Sequence, residues 1–197
     1  TNIIFFFISI FIFIFSIGPD KETISLIGVG ILWTLLLLSS TLSLRKFYQD
    51  DFENGNLLII HLNGFSFGFI SILKTFSHFL FVQVPFLLSI PIACILLNIA
   101  NDKLFYLFAS FSIGSLILSC LGSISSSMNL MNQRNFLLGS VVVMIFSVPV
   151  IIFSVGIINM EESFNSLINI LFGILLIVFA INPWASGLCL KLSLENN

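Results

Sequence analysis

Charge is what this sequence has least of. Lys, Arg, Asp and Glu make up 8% of its 197 residues, against about 25% in an ordinary soluble domain, and so sparse a set cannot coat a surface that faces water. The basic residues never gather beyond the pair Arg45-Lys46 and the net charge is −2, which excludes electrostatic capture of nucleic acid. The three cysteines, Cys94, Cys120 and Cys189, stand singly in apolar runs, with no CxxC pair and no CxxCH motif. They read as small apolar packing residues rather than ligands. No Gly-Lys-Ser or Gly-Lys-Thr occurs, so the phosphate cradle that ATP hydrolysis requires is lacking and any ATP must be bound by another subunit. Serines scattered through apolar runs, with two isolated histidines, make no catalytic triad and no metal cluster; in such runs Ser bonds to backbone or packs helices. The chain reads as no enzyme.

What the sequence has is apolar length. Hydrophobic residues make up 58%, with 24 Phe, and a bilayer core of roughly 30 Å needs about 20 apolar residues per helical span. A charge at the bilayer centre costs about 2.5–3.5 kcal/mol on insertion scales, so the bunched charges should mark the water-exposed turns. They lie at Asp20-Lys21-Glu22, from Arg45 to Glu53, at Asp102-Lys103, at Arg134, at Glu161-Glu162 and in the tail at Lys191 and Glu195. The spacing predicts six spans, Asn2–Ile17, Ile24–Leu44, Ser66–Asn98, Leu104–Met128, Phe136–Ile158 and Phe164–Leu190. They form one all-α transmembrane domain over 1–197, since lipid leaves backbone groups to be satisfied internally and the runs lack barrel-strand alternation. Span three is long enough for part of it to lie at the interface. With both termini cytoplasmic, that side holds Arg45, Lys46, Lys74, Arg134 and Lys191 and the other only Lys21 and Lys103, the bias the positive-inside rule favours. The first residue is Thr1 and the first span begins at once, which reads as a chain with something missing ahead of it.

One polar excursion stands out, Arg45 to Asn63. Asn54 or Asn56 is placed to cap a short helix running through Leu62, ended by Gly64, with Asp50, Asp51 and Glu53 just ahead facing its positive end. Apolar at Leu58 and Leu62, that helix should lie along the membrane surface, where it can dock a cytoplasmic partner. An ordinary solvated loop is the plainer reading. Pro85 and Pro91 in span three and Pro149 in span five are candidate kinks, since each removes a backbone donor. Gly114, Gly122 and the run Ser123-Ile124-Ser125-Ser126-Ser127-Met128 form a small-residue stripe for close helix packing, within the chain or across a dimer interface.

The stretch FYQDDFENGNL resembles the FxxDDxxDGSLE signature that follows the second span of haem exporter protein B, CcmB, the ABC-type permease of the cytochrome c maturation system. SIGPD, KTFSHFLFVQVPFLLSIPI and NPWASGLCLKLSLE resemble further family segments in the same order, so the likeness covers essentially the whole chain. Departures are Leu58 where the family has Glu, Gly64 and Ile145 where it has Pro, and no counterpart of the interfacial helix that precedes span one.

The resemblance implies a surface helix after span two that couples to a cytoplasmic ATP-binding-cassette subunit through Phe47, Asp50, Asp51, Phe52, Glu53, Gly55 and Leu57. It implies two copies of this chain paired with two ATPase subunits in the bacterial inner membrane or that of a mitochondrion. Haem-handling maturation subunits and a haem chaperone would be further partners, with haem as the cargo left open and no cofactor or metal bound directly. His78 matches the family's AHW segment but reads as a residue that hydrogen-bonds to a neighbouring helix or sits at the interface, and neither it nor His61 reads as a haem ligand; Trp33 and Trp184 form no tryptophan-rich haem motif. A permease for a lipid, polysaccharide or drug, and a scaffold of the maturation complex, remain the alternatives.

Overall fold

The computed structural model describes residues 2–18, 20–131, 137–159 and 164–195. Among these no strand occurs, and nine α-helices follow one another: α1 (Asn2–Ile17), α2 (Lys21–Thr41), α3 (Gln49–Glu53), α4 (Asn56–Leu62), α5 (Phe67–His78), α6 (Val84–Leu96), α7 (Leu104–Met131), α8 (Leu137–Asn159) and α9 (Phe164–Glu195). Five segments are long and apolar enough to cross a membrane, with α5 and α6 counting as one, and α1 is a shorter apolar helix. The chain is thus an all-α polytopic membrane protein, and the helix bounds fall close to the charge-derived ones. The predicted turns at Arg134 and Glu161-Glu162 lie outside the described residues.

Local chemistry sets the ends. Gly18, at φ +87°, closes α1, its N–H returning to the Ile14 carbonyl at 3.1 Å. Asp20 caps α2, its carboxylate accepting the Glu22 N–H and the Thr23 hydroxyl. These bonds, the Thr23 hydroxyl first among them, hold the Asp20 carboxyl below its ordinary value.

Span three is a composite. Between α5 and α6 the backbone widens into a π-helical turn, Phe79–Gln83. Pro85, at the start of α6, has no N–H to return to the preceding turn and its ring crowds the carbonyl four residues back, and the wider turn relieves that crowding here. Gln83 is buried there and donates to the Ser40 hydroxyl of α2 at 3.1 Å. Pro91 and Pro149 lie inside α6 and α8, which run on through them, and Pro183 inside α9 is a third such position that sequence reading passed over.

α7 is the centre of the bundle, packed on α8, α9, α5 and α6. Its inward face is small and polar, with Gly114, Ser115, Ser119, Cys120, Ser123 and Ser126 among its buried residues. The predicted small-residue stripe is therefore an internal packing face. At Gly114 a Cβ would stand 2.3 Å from the Trp33 ring, so the absence of a side chain there is what admits the indole. Three apolar clusters fill the interior. One joins α1, α2, α6, α7 and α8, the second α7, α8 and α9, and the third closes the end where the loop of residues 42–66 sits.

Candidate functional site at the loop between spans two and three

The loop folds as two short helices rather than one. A 3-10 turn, Leu44–Lys46, leads into α3, so Asp50, Asp51 and Glu53 lie within a helix of their own instead of ahead of the surface helix. The cap of α4 is Gly55, at φ +72°, not Asn54 or Asn56; Asn54 is the C-cap of α3. Only a residue at ease in the left-handed region can reverse the chain between two helices in so short a space, and this is the role of Gly55. As expected, α4 ends at Leu62, with Gly64 at φ +94° just beyond.

The loop has its own core. Phe47 (6% exposed), Phe52 (9%) and Leu57 (0%) pack with Tyr48, Ile70 of α5, Leu130 of α7 and Leu190 of α9. The structure therefore turns three of the seven expected contact residues inward: helices of five and seven residues are unstable alone, and burying these side chains is what holds them against the bundle. Asp50, Glu53, Leu58, Ile59 and Leu62 face outward. Asp51 is engaged by Lys74 of α5 in an ion pair that is about a quarter exposed on both sides, at 24% and 30%. Lys74 thus ties the loop to span three.

Tyr48 is the anchor that sequence reading missed. Fully buried, its hydroxyl lies 2.7 Å from Ser123 Oγ of α7. Ser123 meets Ser186 of α9 at 3.1 Å and Ser71 of α5 at 3.2 Å. Ser186 donates to Asn182 Oδ1 at 2.9 Å, and Asn182 Nδ2 donates to Thr75 of α5 at 2.9 Å. Proton bookkeeping fixes the direction. Ser186 spends its proton on Asn182, so Ser123 donates to Ser186, and the Tyr48 O–H is left to donate to Ser123. Burial accordingly pushes the Tyr48 hydroxyl up to about 12, against the opposing pull of the Ser123 bond. One aligned chain of hydrogen bonds thus runs from the loop through α7 into α9, with α5 attached at two points.

His78 sits next to this network without joining it. Its Nε2 lies 2.8 Å from Ser43 Oγ and its Nδ1 3.1 Å from Ser119 Oγ. Both serines are themselves seated on backbone carbonyls, Ser43 on Ser40 and Ser119 on Ser115. His61 is exposed, its Nδ1 2.9 Å from the Phe65 carbonyl and its ring stacked on Phe67. Both imidazoles are occupied within the fold, as expected for His78, and the described residues hold no group of three His, Cys, Asp or Glu side chains placed for a metal ion.

The whole span of this architecture, residues 1–193, matches the protein family described as CcmB protein. The chain belongs to the CcmB family. Among its curated CcmB relatives, the heme exporter protein B of Haemophilus influenzae is 29% identical over 195 residues, 98% of this chain and 88% of the relative. That of Bradyrhizobium diazoefficiens is 28% identical over 98% of this chain and 89% of its own. A shorter stretch of the Paracoccus denitrificans heme exporter protein B is 33% identical over 130 residues, 66% of this chain and 60% of the relative.

Proposed function

We propose that the chain is the membrane permease subunit of an ABC-type complex for cytochrome c maturation, in which a cytoplasmic partner hydrolyses ATP and this subunit couples the stroke to haem delivery or to release of a haem-loaded chaperone. Membership of a family whose curated relatives are named heme exporter protein B supports this assignment. The observation that carries the coupling is the construction of the loop. Its outer side offers the carboxylates Asp50 and Glu53 and the apolar residues Leu58, Ile59 and Leu62, while its inner side is fastened to α5, α7 and α9 by Tyr48, Asp51, Phe47, Phe52 and Leu57. A loop fastened to three spans passes a push on to all of them.

In this reading the loop faces the cytoplasm of a bacterium, two copies of the chain pair with two ATPase subunits, and other haem-handling subunits join them in the inner membrane. Gathering of Lys46, Lys74 and Lys191 at the loop end, with Lys103 beside Glu22 at the other, supports that orientation. The test is charge reversal of the two outward acids, Asp50→Lys with Glu53→Lys. Neither is used internally to hold the loop on the bundle, so folding should survive. Co-purification of the ATPase subunit and the yield of haem-stained cytochrome c should both fall to background; normal association with normal yield would overturn the reading.

A further inference from the structure

A groove of about 730 Å³ opens beside the loop, between the start of α1 and the α5–π segment, within the roughly 300–1,000 Å³ of small-molecule sites. Its two ends differ in chemistry. At the loop end stand Lys46, Lys74, Ser43 and Ser77; away from it the walls are Ile3, Phe81, Val82 and Phe86. Lys74 shares its charge with Asp51. Lys46 is exposed and has no acidic partner among the described residues. The polar end therefore carries a positive charge unpaired among the described residues with the Ser77 hydroxyl next to it, at the level where Lys74 leaves its span, and the apolar end runs toward the membrane interior along Phe81, itself 80% exposed.

We propose that this groove is a binding site for an anionic glycerophospholipid, its phosphate held at Lys46 and Ser77 and its acyl chains laid along Ile3, Phe81 and Val82. Charge complementarity selects this occupant: a zwitterionic headgroup would bring its own cation to Lys46, and a wholly apolar ligand would leave the lysine and the Ser77 hydroxyl unmatched. The π turn contributes directly, since Phe81 and Val82 belong to it and its extra width sets the wall against which the chains lie. The site does not depend on which partner occupies the outer side of the loop.

Native mass spectrometry of the full chain, released from detergent and titrated with phosphatidylglycerol or phosphatidylethanolamine, tests the assignment. Phosphatidylglycerol should bind more tightly. Lys46→Gln should cut its affinity roughly fivefold, the effect of one basic residue near an anionic headgroup, and leave phosphatidylethanolamine unchanged. Lys103→Gln, at the opposite end of the bundle, should alter neither. Val82→Trp, which fills the groove, should abolish tight phosphatidylglycerol binding even if Lys46→Gln is confounded by altered detergent contact. Equal affinity for the two lipids overturns the proposal. So do equal losses in Lys46→Gln and Lys103→Gln, or phosphatidylglycerol binding that survives Val82→Trp, as when a protein segment fills the groove.

Discussion

Removing the Tyr48 hydroxyl and removing Ser123 should each destabilise the protein, yet the two losses should not add. Tyr48→Phe deletes a donor from a serine that keeps Ser71 and Ser186 as neighbours, so the cost is that of one hydrogen bond, about 0.5–1.5 kcal/mol. Ser123→Ala does more harm. It strands the Tyr48 hydroxyl in a place with no access to solvent, at about 1–3 kcal/mol for the unsatisfied group. In the double variant there is no tyrosine hydroxyl left to strand, so the combined loss should fall short of the sum by roughly 1 kcal/mol. The assay is thermal unfolding of the purified chain in detergent, followed by size-exclusion fluorescence, where each kcal/mol moves Tm by about 2–4 °C for a chain of this length. Losses that add to within about 0.5 kcal/mol would refute the seating of Tyr48 on Ser123, and with it the fastening of the loop to α7.

Gly114→Ala puts a methyl group where the Trp33 ring lies. It should lower stability by about 1–3 kcal/mol, the cost of overpacking, and Trp33→Phe should recover part of the loss, because the buried indole N–H has no partner to forfeit; failure of the smaller ring to rescue would show that the helices part instead. Asp20→Ala should speed hydrogen exchange at the Glu22 and Thr23 amides. Because the Asp20 carboxyl is held below its ordinary value of 3.8, its capping is complete above that value and is lost as pH falls through the lowered one; exchange protection that is flat across this range would contradict the capping.

The spans were legible because charge in lipid is so costly that seven Lys and Arg and nine Asp and Glu suffice to punctuate the whole chain. Inside the loop, sequence reading divided the residues differently from the fold. Aromatic residues within a charged stretch looked like an outward docking face, but short helices need something to pack, and Phe47, Phe52 and Leu57 supply it. The buried network was the least legible part. Ser71 and Asn182 stand 111 positions apart, and each alone looks like any polar residue packing a membrane helix. A trace was present all the same: Ser71 and Thr75, and Asn182 and Ser186, are polar pairs four apart in apolar helices, which places each pair on one face. The π turn had only Pro85 to announce it, and proline more often kinks a helix than widens it.

That turn ties the two halves of span three to a fixed residue count. Each residue adds about 100° of rotation to a helix, so the widened turn sets α6 at an angle about α5 that a regular α-helix of the same length would not give. Phe86 meets Phe6 of α1 edge-on at 5.4 Å and Gln83 reaches Ser40 of α2 at that setting. Tightening of Phe79–Gln83 into an ordinary helix at the same residue count would swing α6 by about a quarter turn, unseating both contacts while leaving α5, the Lys74–Asp51 pair and the loop where they are, whereas loss of one residue from the turn would absorb the tightening and keep both contacts. Span three is thus two independently indexed helices sharing one axis, the loop-facing half keyed to α7 and α9 and the far half keyed to α1 and α2.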